Sequence, residues 1–275
     1  MPFECYDYAT FWHFEELASW VKIFATYNLK GGVGKTASAV NLAYNAHLIG
    51  ARTVLWDLDP QGAASFYLKN KAKIKGGTER LLEKKRSLSD IVRSTDYERL
   101  DLIPADIRLR NFDSELLPRK DGDRRIGKLL SYIKHDYDVA FLDCPPSIST
   151  VAENVFRTAN RILVPIIPTP LSIRAYEQVV NFFQENDLKS SKLLPFFSMV
   201  DKRKKLHKEL IIEFANTYPE LLQSYIPYAS QIEQMGIHRA PVASFLPGGV
   251  GARAFEALFQ ALQNRTPIRV DAGKM

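Results

Sequence analysis

From residue 22 onward, short apolar runs alternate with longer stretches in which apolar residues recur every third or fourth position. The runs at 23–27, 53–56, 100–103, 139–142, 162–167, 195–200 and 224–226 predict β-strands. The stretches at 35–49, 123–134, 149–159, 171–186, 205–218 and 252–264 predict helices. Strands that are apolar on successive residues suit a sheet buried on both faces, with helices supplying right-handed crossovers. The expectation is one α/β domain over 21–265, a doubly wound, mostly parallel sheet flanked by helices. Three stretches fall outside that pattern. Residues 1–20 are acidic and rich in aromatics: Phe3, Tyr6, Tyr8, Phe11, Trp12, Phe14 and Trp20. Residues 69–86 are polar, end in Lys84-Lys85-Arg86 and predict a surface excursion. The tail at 266–275 is expected to fray.

A chain of 275 residues is long enough for one large domain with a substantial core. No apolar run approaches the roughly 18 residues of a membrane span. There is no Lys or Arg before Lys22, so the basic start of a secretory signal is missing. Cys5 and Cys144 make neither a metal-ligand spacing nor a disulfide framework, which points to a reducing, cytoplasmic setting. Charge adds more. Removing the four acids of residues 1–20 (Glu4, Asp7, Glu15 and Glu16, with no base) from a net +6 leaves +10 on the remainder. Such a balance suits either an ordinary solvated surface or a polyanion partner.

The chemistry is densest after the first strand, where Lys30-Gly31-Gly32-Val33-Gly34-Lys35-Thr36 leads into the first helix, with Ala37 following. Glycines let the backbone curl and aim successive N–H groups at phosphate oxygens, and the helix N-terminus adds partial positive charge. Lys35 would neutralise the β- and γ-phosphates, and the Thr36 hydroxyl would ligate Mg²⁺. At 139–143 four apolar residues end in Asp143, the form of a strand whose carboxylate holds a metal-bound water and so orients Mg²⁺. Cys144, next to it, reads as a packed small hydrophobe.

An ordinary P-loop has glycine at the position of Leu29 and does not require Lys30. With Lys30, the motif resembles the deviant Walker A of the ParA/MinD family of ATPases, in which the extra lysine crosses a dimer interface to the partner's nucleotide. Leu55-Trp56-Asp57-Leu58-Asp59-Pro60-Gln61-Gly62 is similar to that family's Asp-x-Asp-Pro-Gln-Gly signature. The resemblance implies that Asp59 positions or activates the attacking water and that Asp57 supports the metal environment. Met199-Val200-Asp201-Lys202-Arg203 is similar to the family's Asp-x-Arg segment. Ile226-Pro227-Tyr228, with His238 and Pro241-Val242 beyond, matches the stretch that flanks adenine, so Pro227 is the expected base-binding wall. The resemblance covers roughly 22–265 and implies slow, partner-stimulated ATP hydrolysis, with ATP and Mg²⁺ as cofactors and a homodimer formed on ATP.

Within that family, an iron–sulfur reductase would need two cluster cysteines, and neither Cys5 nor Cys144 is suitably placed. A tyrosine-kinase relative would carry a tyrosine-rich tail, and none follows Gln263. A MinD-like membrane positioner would end in a basic amphipathic helix. The last helix instead pairs an apolar stripe (Phe255, Leu258, Phe259, Leu262) with Glu256, Gln260 and Gln263. What remains is a short ParA-like ATPase without an N-terminal helix-turn-helix domain. It is expected to bind DNA non-specifically, associate with the nucleoid and position a cargo through a ParB-like or adaptor partner. Arg203, Lys204, Lys205 and Lys208, with Lys202, are the expected DNA contacts. Where many members carry a second DNA-contacting arginine, this chain has Gln231. The alternative from another class is a MinD-like membrane or protein-scaffold positioner that does not touch DNA. For residues 1–20, Thr10 suits the cap of a short helix, which either packs on its own domain or offers a partner dock.

Overall fold

The computed structural model describes residues 21–71, 73, 87–116 and 124–270. The extension at 1–20, most of the excursion at 69–86 and the end of the tail lie outside the described residues. Eight strands form one sheet: β1 (Lys22–Thr26), β2 (Thr53–Asp57), β3 (Arg93–Ser94), β4 (Leu100–Ile103), β5 (Val139–Asp143), β6 (Arg161–Ile166), β7 (Leu193–Val200) and β8 (Tyr225–Pro227). Their spatial order is β3-β4-β2-β5-β1-β6-β7-β8, and β1, β2 and β4–β8 pair in parallel. The exception is β3, antiparallel to β4. It has only two residues and no apolar run, so the hydrophobic pattern gave no sign of it.

The helices are α1 (Lys35–Leu48), α2 (Ala63–Tyr67), α3 (Phe112–Leu116), α4 (Arg125–Ser131), α5 (Thr150–Thr158), α6 (Pro170–Glu185), α7 (Lys205–Thr217), α8 (Ser230–Glu233), α9 (Met235–His238), α10 (Val242–Phe245) and α11 (Val250–Arg265). Local chemistry sets their ends. Ser149 caps α5 by accepting from Ala152 N, and Pro170 occupies the first turn of α6, where a missing N–H costs nothing. The sheet is covered on both faces. Ile23, Ala25, Val54, Trp56, Ala140 and Leu142 face a layer that includes α4, α5 and α6. Phe24, Leu55, Val139, Phe141 and Leu163 face α1 and α11. Neighbouring residues of one strand thus enter opposite cores, which is why the strands read as unbroken apolar runs.

Two expectations change. The helix expected at 123–134 is described only as Arg125–Ser131, because Tyr132 and Ile133 close onto Leu129 and Leu130 in three-residue turns. The tail does not fray at once. Ile268 is buried in the core beside α11, and its N–H donates to Gln263 Oε1 at 2.7 Å.

Candidate nucleotide and metal site

Pairing register builds the site. Asp143 at the end of β5 stands opposite Thr26 of β1 on one side and Asp57 of β2 on the other. Three polar side chains therefore end three adjacent strands at one level, on the carboxyl edge where doubly wound folds bind ligands. The loop from β1 to α1 opens beside them. Asn28 is buried and pins the loop at its root, donating to Pro165 O at 2.7 Å and accepting from Lys30 N at 2.9 Å. Gly32 and Gly34 take left-handed φ of 70° and 92°. A Cβ on Gly34 would sit 3.0 Å from Ser198 Oγ, so glycine is required there by conformation and by space. Gly34 also precedes α1 with no side-chain cap, and the first turn holds no acid. Its N–H groups are left to an anion.

Lys35 is buried and donates to Lys30 O at 3.0 Å, laying its ammonium across its own loop. Burial lowers its pKa, against the opposing charges of Asp143 and Asp59. Asp143 is fully buried. Thr26 Oγ1 donates to its Oδ1 at 3.3 Å, while Oδ2 has no partner. Burial raises its pKa well above the carboxylate range, the Asp57 charge adds to this, and the Thr36 hydroxyl and Lys35 pull it back. Asp57 is pushed up to about 6, chiefly by burial. Its Oδ2 accepts from Ser65 N at 2.8 Å and Ser65 Oγ at 2.7 Å, and its Oδ1 from Asp59 N at 3.3 Å. Asp59 is half-exposed and shapes the next turn, accepting from Gln61 N at 2.9 Å.

Two buried carboxyls with raised pKa values, one with an orphaned oxygen, are a site short of positive charge. The residues fit Mg²⁺. Thr36 would supply a hydroxyl and Asp143 a carboxylate for a metal-bound water. Among the described residues no group of three His, Cys, Asp or Glu side chains is placed to chelate a metal unaided, which suits an ion that takes its remaining oxygens from water and phosphate. Asp57 contributes charge, with both oxygens already engaged by protein donors. Cys144 is buried with its thiol pushed up by that burial, as a packed hydrophobe should be.

Beside the loop, Gly34, Ala37, Ser198, Met199, Pro227 and Phe255 line a cleft. Pro227, the expected base-binding wall, and Ala37 are both among its lining residues. Sequence reasoning missed Met199. It sits at a left-handed φ of 54°, where the β7–β8 register shifts, and such a bulge leaves no hydrophobic signature. Ser65 and Asn28 were missed as well, since only register and tertiary contact give them work.

The expected DNA contacts gather at the start of α7. Arg203 donates from Nε and Nη2 to the two Asp201 oxygens, 2.9 Å each, and holds that carboxyl well below its usual range. Lys205 pairs with Glu209 at 3.4 Å, and Lys202 lies over the Tyr225 ring. Lys204 and Lys208 are exposed. Gln231 turns away from any such face, since its Oε1 accepts from Gly251 N at 3.1 Å at the start of α11.

Residues 21–194 match the family described as an AAA domain. The chain is 30% identical over 250 residues to the chromosome-partitioning ATPase Soj of Treponema pallidum, spanning 89% of this chain and 98% of that protein. The chain belongs to the ParA/MinD family of P-loop ATPases. The sporulation initiation inhibitor protein Soj of Bacillus subtilis is 29% identical over 240 residues, spanning 85% and 95%. A plasmid partition protein of Borrelia burgdorferi bound to AMPPNP shares the fold at a TM-score of 0.76 and 19% identity, covering 89% of this chain and 99% of that one. A cobyrinic acid a,c-diamide synthase of Mycobacterium smegmatis scores 0.75 at 24% identity, covering 90% and 96%, so this fold also carries other chemistry. As a member of that family the chain is an ATP hydrolase.

Proposed function

We propose that two copies close face to face on ATP, that the dimer binds DNA without regard to sequence, and that a ParB-like or adaptor protein stimulates slow hydrolysis to position a cargo on the nucleoid. The observation that carries the reading is the turn entering α7. Lys202, Arg203, Lys204, Lys205 and Lys208 crowd the positive end of a 13-residue helix whose first turn holds no acid. Cations there oppose the helix dipole, so the arrangement favours an anion partner. Relatives named for chromosome partitioning support the same reading. Lys30 supports the dimer, since among the described residues its ammonium makes no hydrogen bond or ion pair within its own chain. Asp59 takes the water-positioning role in this reading, and Asp57 and Asp143 set the charge around Mg²⁺.

The test is binding of random duplex with a non-hydrolysable ATP analogue and Mg²⁺. Binding should require the nucleotide, and with 6–10 phosphate contacts it should fall about 10³–10⁵-fold between 50 and 200 mM salt. Replacing Arg203 and Lys204 together should weaken all duplexes alike, since phosphate contacts carry no base information. Absence of salt-sensitive binding by the parent protein would favour the MinD-like scaffold or membrane reading. Against a membrane role, the apolar stripe of α11 is buried in the domain's own core, and among the described residues no helix is long and apolar enough to cross a membrane.

A further inference from the structure

Nucleotide chemistry leaves the opposite, amino-terminal edge of the sheet unexplained. There β1 begins, and Val21 just before it is buried. Asn160 lies alongside: Ile23 N donates to its Oδ1 at 2.7 Å, and its own N–H donates to Ile23 O at 2.8 Å. Arg161 opens β6 next to it, and one strand farther Lys189 and Lys192 precede β7. Lys192 donates to the carbonyls of Phe156 and Arg157, 2.9 Å each, closing the end of α5. Its pKa is lowered to about 8, first by burial and then by the positive charges of Lys189, Arg157 and Arg161. Arg161 Nε is buried without a partner, and its guanidinium reaches only carbonyl oxygens, at 3.4 and 3.5 Å. No acid enters the balance at Lys192. Asp187, exposed and two residues before Lys189, is the nearest acid along the chain.

We propose that this cationic edge is the docking surface of the chain's own residues 1–20, held in cis by Glu15 and Glu16 against Arg161, Lys189 and Lys192. Charge complementarity supports it: those twenty residues carry four acids, no Lys or Arg, and seven aromatics able to cover the edge. Reach supports it too. Glu16 lies five residues before Val21, a span of at most about 18 Å when extended. From β1 to β7 is two strand spacings, roughly 10 Å. The basic turn at α7 lies at the other end of the strands, at least ~17 Å farther, and is out of range for Glu15 and Glu16.

Zero-length carbodiimide coupling of the full chain, followed by peptide mass mapping, tests this directly. Links from Glu15 or Glu16 to Lys189 or Lys192 are expected within monomers, falling at least about fivefold in Lys189→Glu and in high salt. Links found only between isotopically labelled and unlabelled chains would overturn docking in cis. So would their absence while the Lys205–Glu209 pair, 3.4 Å apart, couples as an internal control. Thermal melting supplies a second reading. Lys189→Glu and the pair Glu15→Lys with Glu16→Lys should each lower the midpoint, and their combination should recover it; a combination that only adds the two losses overturns the pairing. If Lys189→Glu instead weakens duplex binding and leaves links and midpoint unchanged, the edge is a nucleic-acid surface and the proposal fails.

Discussion

Two lysines five residues apart divide the work of one loop. Lys35 is buried and donates its ammonium to the Lys30 carbonyl, whereas among the described residues the Lys30 ammonium has no hydrogen-bond or ion-pair partner. Lys35→Ala should therefore abolish nucleotide binding, while Lys30→Ala should keep it and lose the ATP-induced dimer. Titration with labelled nucleotide and sedimentation with ATP separate the two outcomes. Asp57 gives a prediction in pH. Its folded pKa of about 6 lies above the ordinary 3.8, so between those values the folded chain binds more protons than the unfolded one. The contribution of Asp57 to the stability of the nucleotide-free protein should be fully present below pH 4 and be lost as pH rises through 6, by on the order of 3 kcal/mol. Asp57→Asn keeps an acceptor for Ser65 and should flatten that slope in thermal melts; an unchanged slope would remove Asp57 from the account.

At the scale of elements, the turn from β7 to α7 is fastened at three points. Asp201 accepts from Arg203 N at 3.0 Å as well as from its guanidinium, Asp201 N donates to His207 Nδ1 at 3.1 Å, and Tyr228 N donates to Val200 O at 3.0 Å. A carboxylate that occupies Arg203 competes with phosphate. Asp201→Asn retains the backbone acceptor and removes the competing charge. Duplex binding should tighten about three- to tenfold, and the salt slope should steepen by about 0.9, one phosphate contact. Unchanged binding would mean that Arg203 is not a contact. The sequence showed a basic run and the Asp201-Lys202-Arg203 segment, but not that the aspartate holds the arginine or that His207 and Tyr228 fasten the turn. The strands and long helices were legible because two-sided burial leaves continuous apolar runs, and the glycine loop because its backbone can serve few other purposes. Helices of four or five residues such as α2 and α8 complete little more than one turn, too few for an apolar repeat to reveal them. Gln231 was readable only as a missing charge, because its bond to Gly251 joins residues twenty apart.

Taken whole, the molecule gathers the glycine loop, Asp57 and Asp143 on one edge of the sheet, and β1 begins on the other. Exposed Ile148 and Leu171 follow the carboxyl ends of β5 and β6, on the side where a second copy would close. Asp59→Ala should trap such a dimer with ATP bound, since losing a water-positioning group costs roughly 10²–10⁴-fold in rate and leaves the phosphate contacts intact. Size-exclusion of the variant with ATP should show a persistent dimer and little phosphate release; hydrolysis at the parent rate would remove Asp59 from the role. The position of β5 carries one consequence more. Flanked by the strand that feeds the loop and the strand that ends in Asp57, it cannot part from either without opening the middle of the sheet. Amide protons of 139–143 should then be among the last to exchange with deuterium, and those of Asp59 and Gln61, in the turn after β2, among the first. Asp143 would then sit in the most slowly breathing part of the protein. If Asp59 positions the attacking water, the lifetime of the bound nucleotide is set at the fast-moving margin, where substitutions can retune it without disturbing the centre of the sheet.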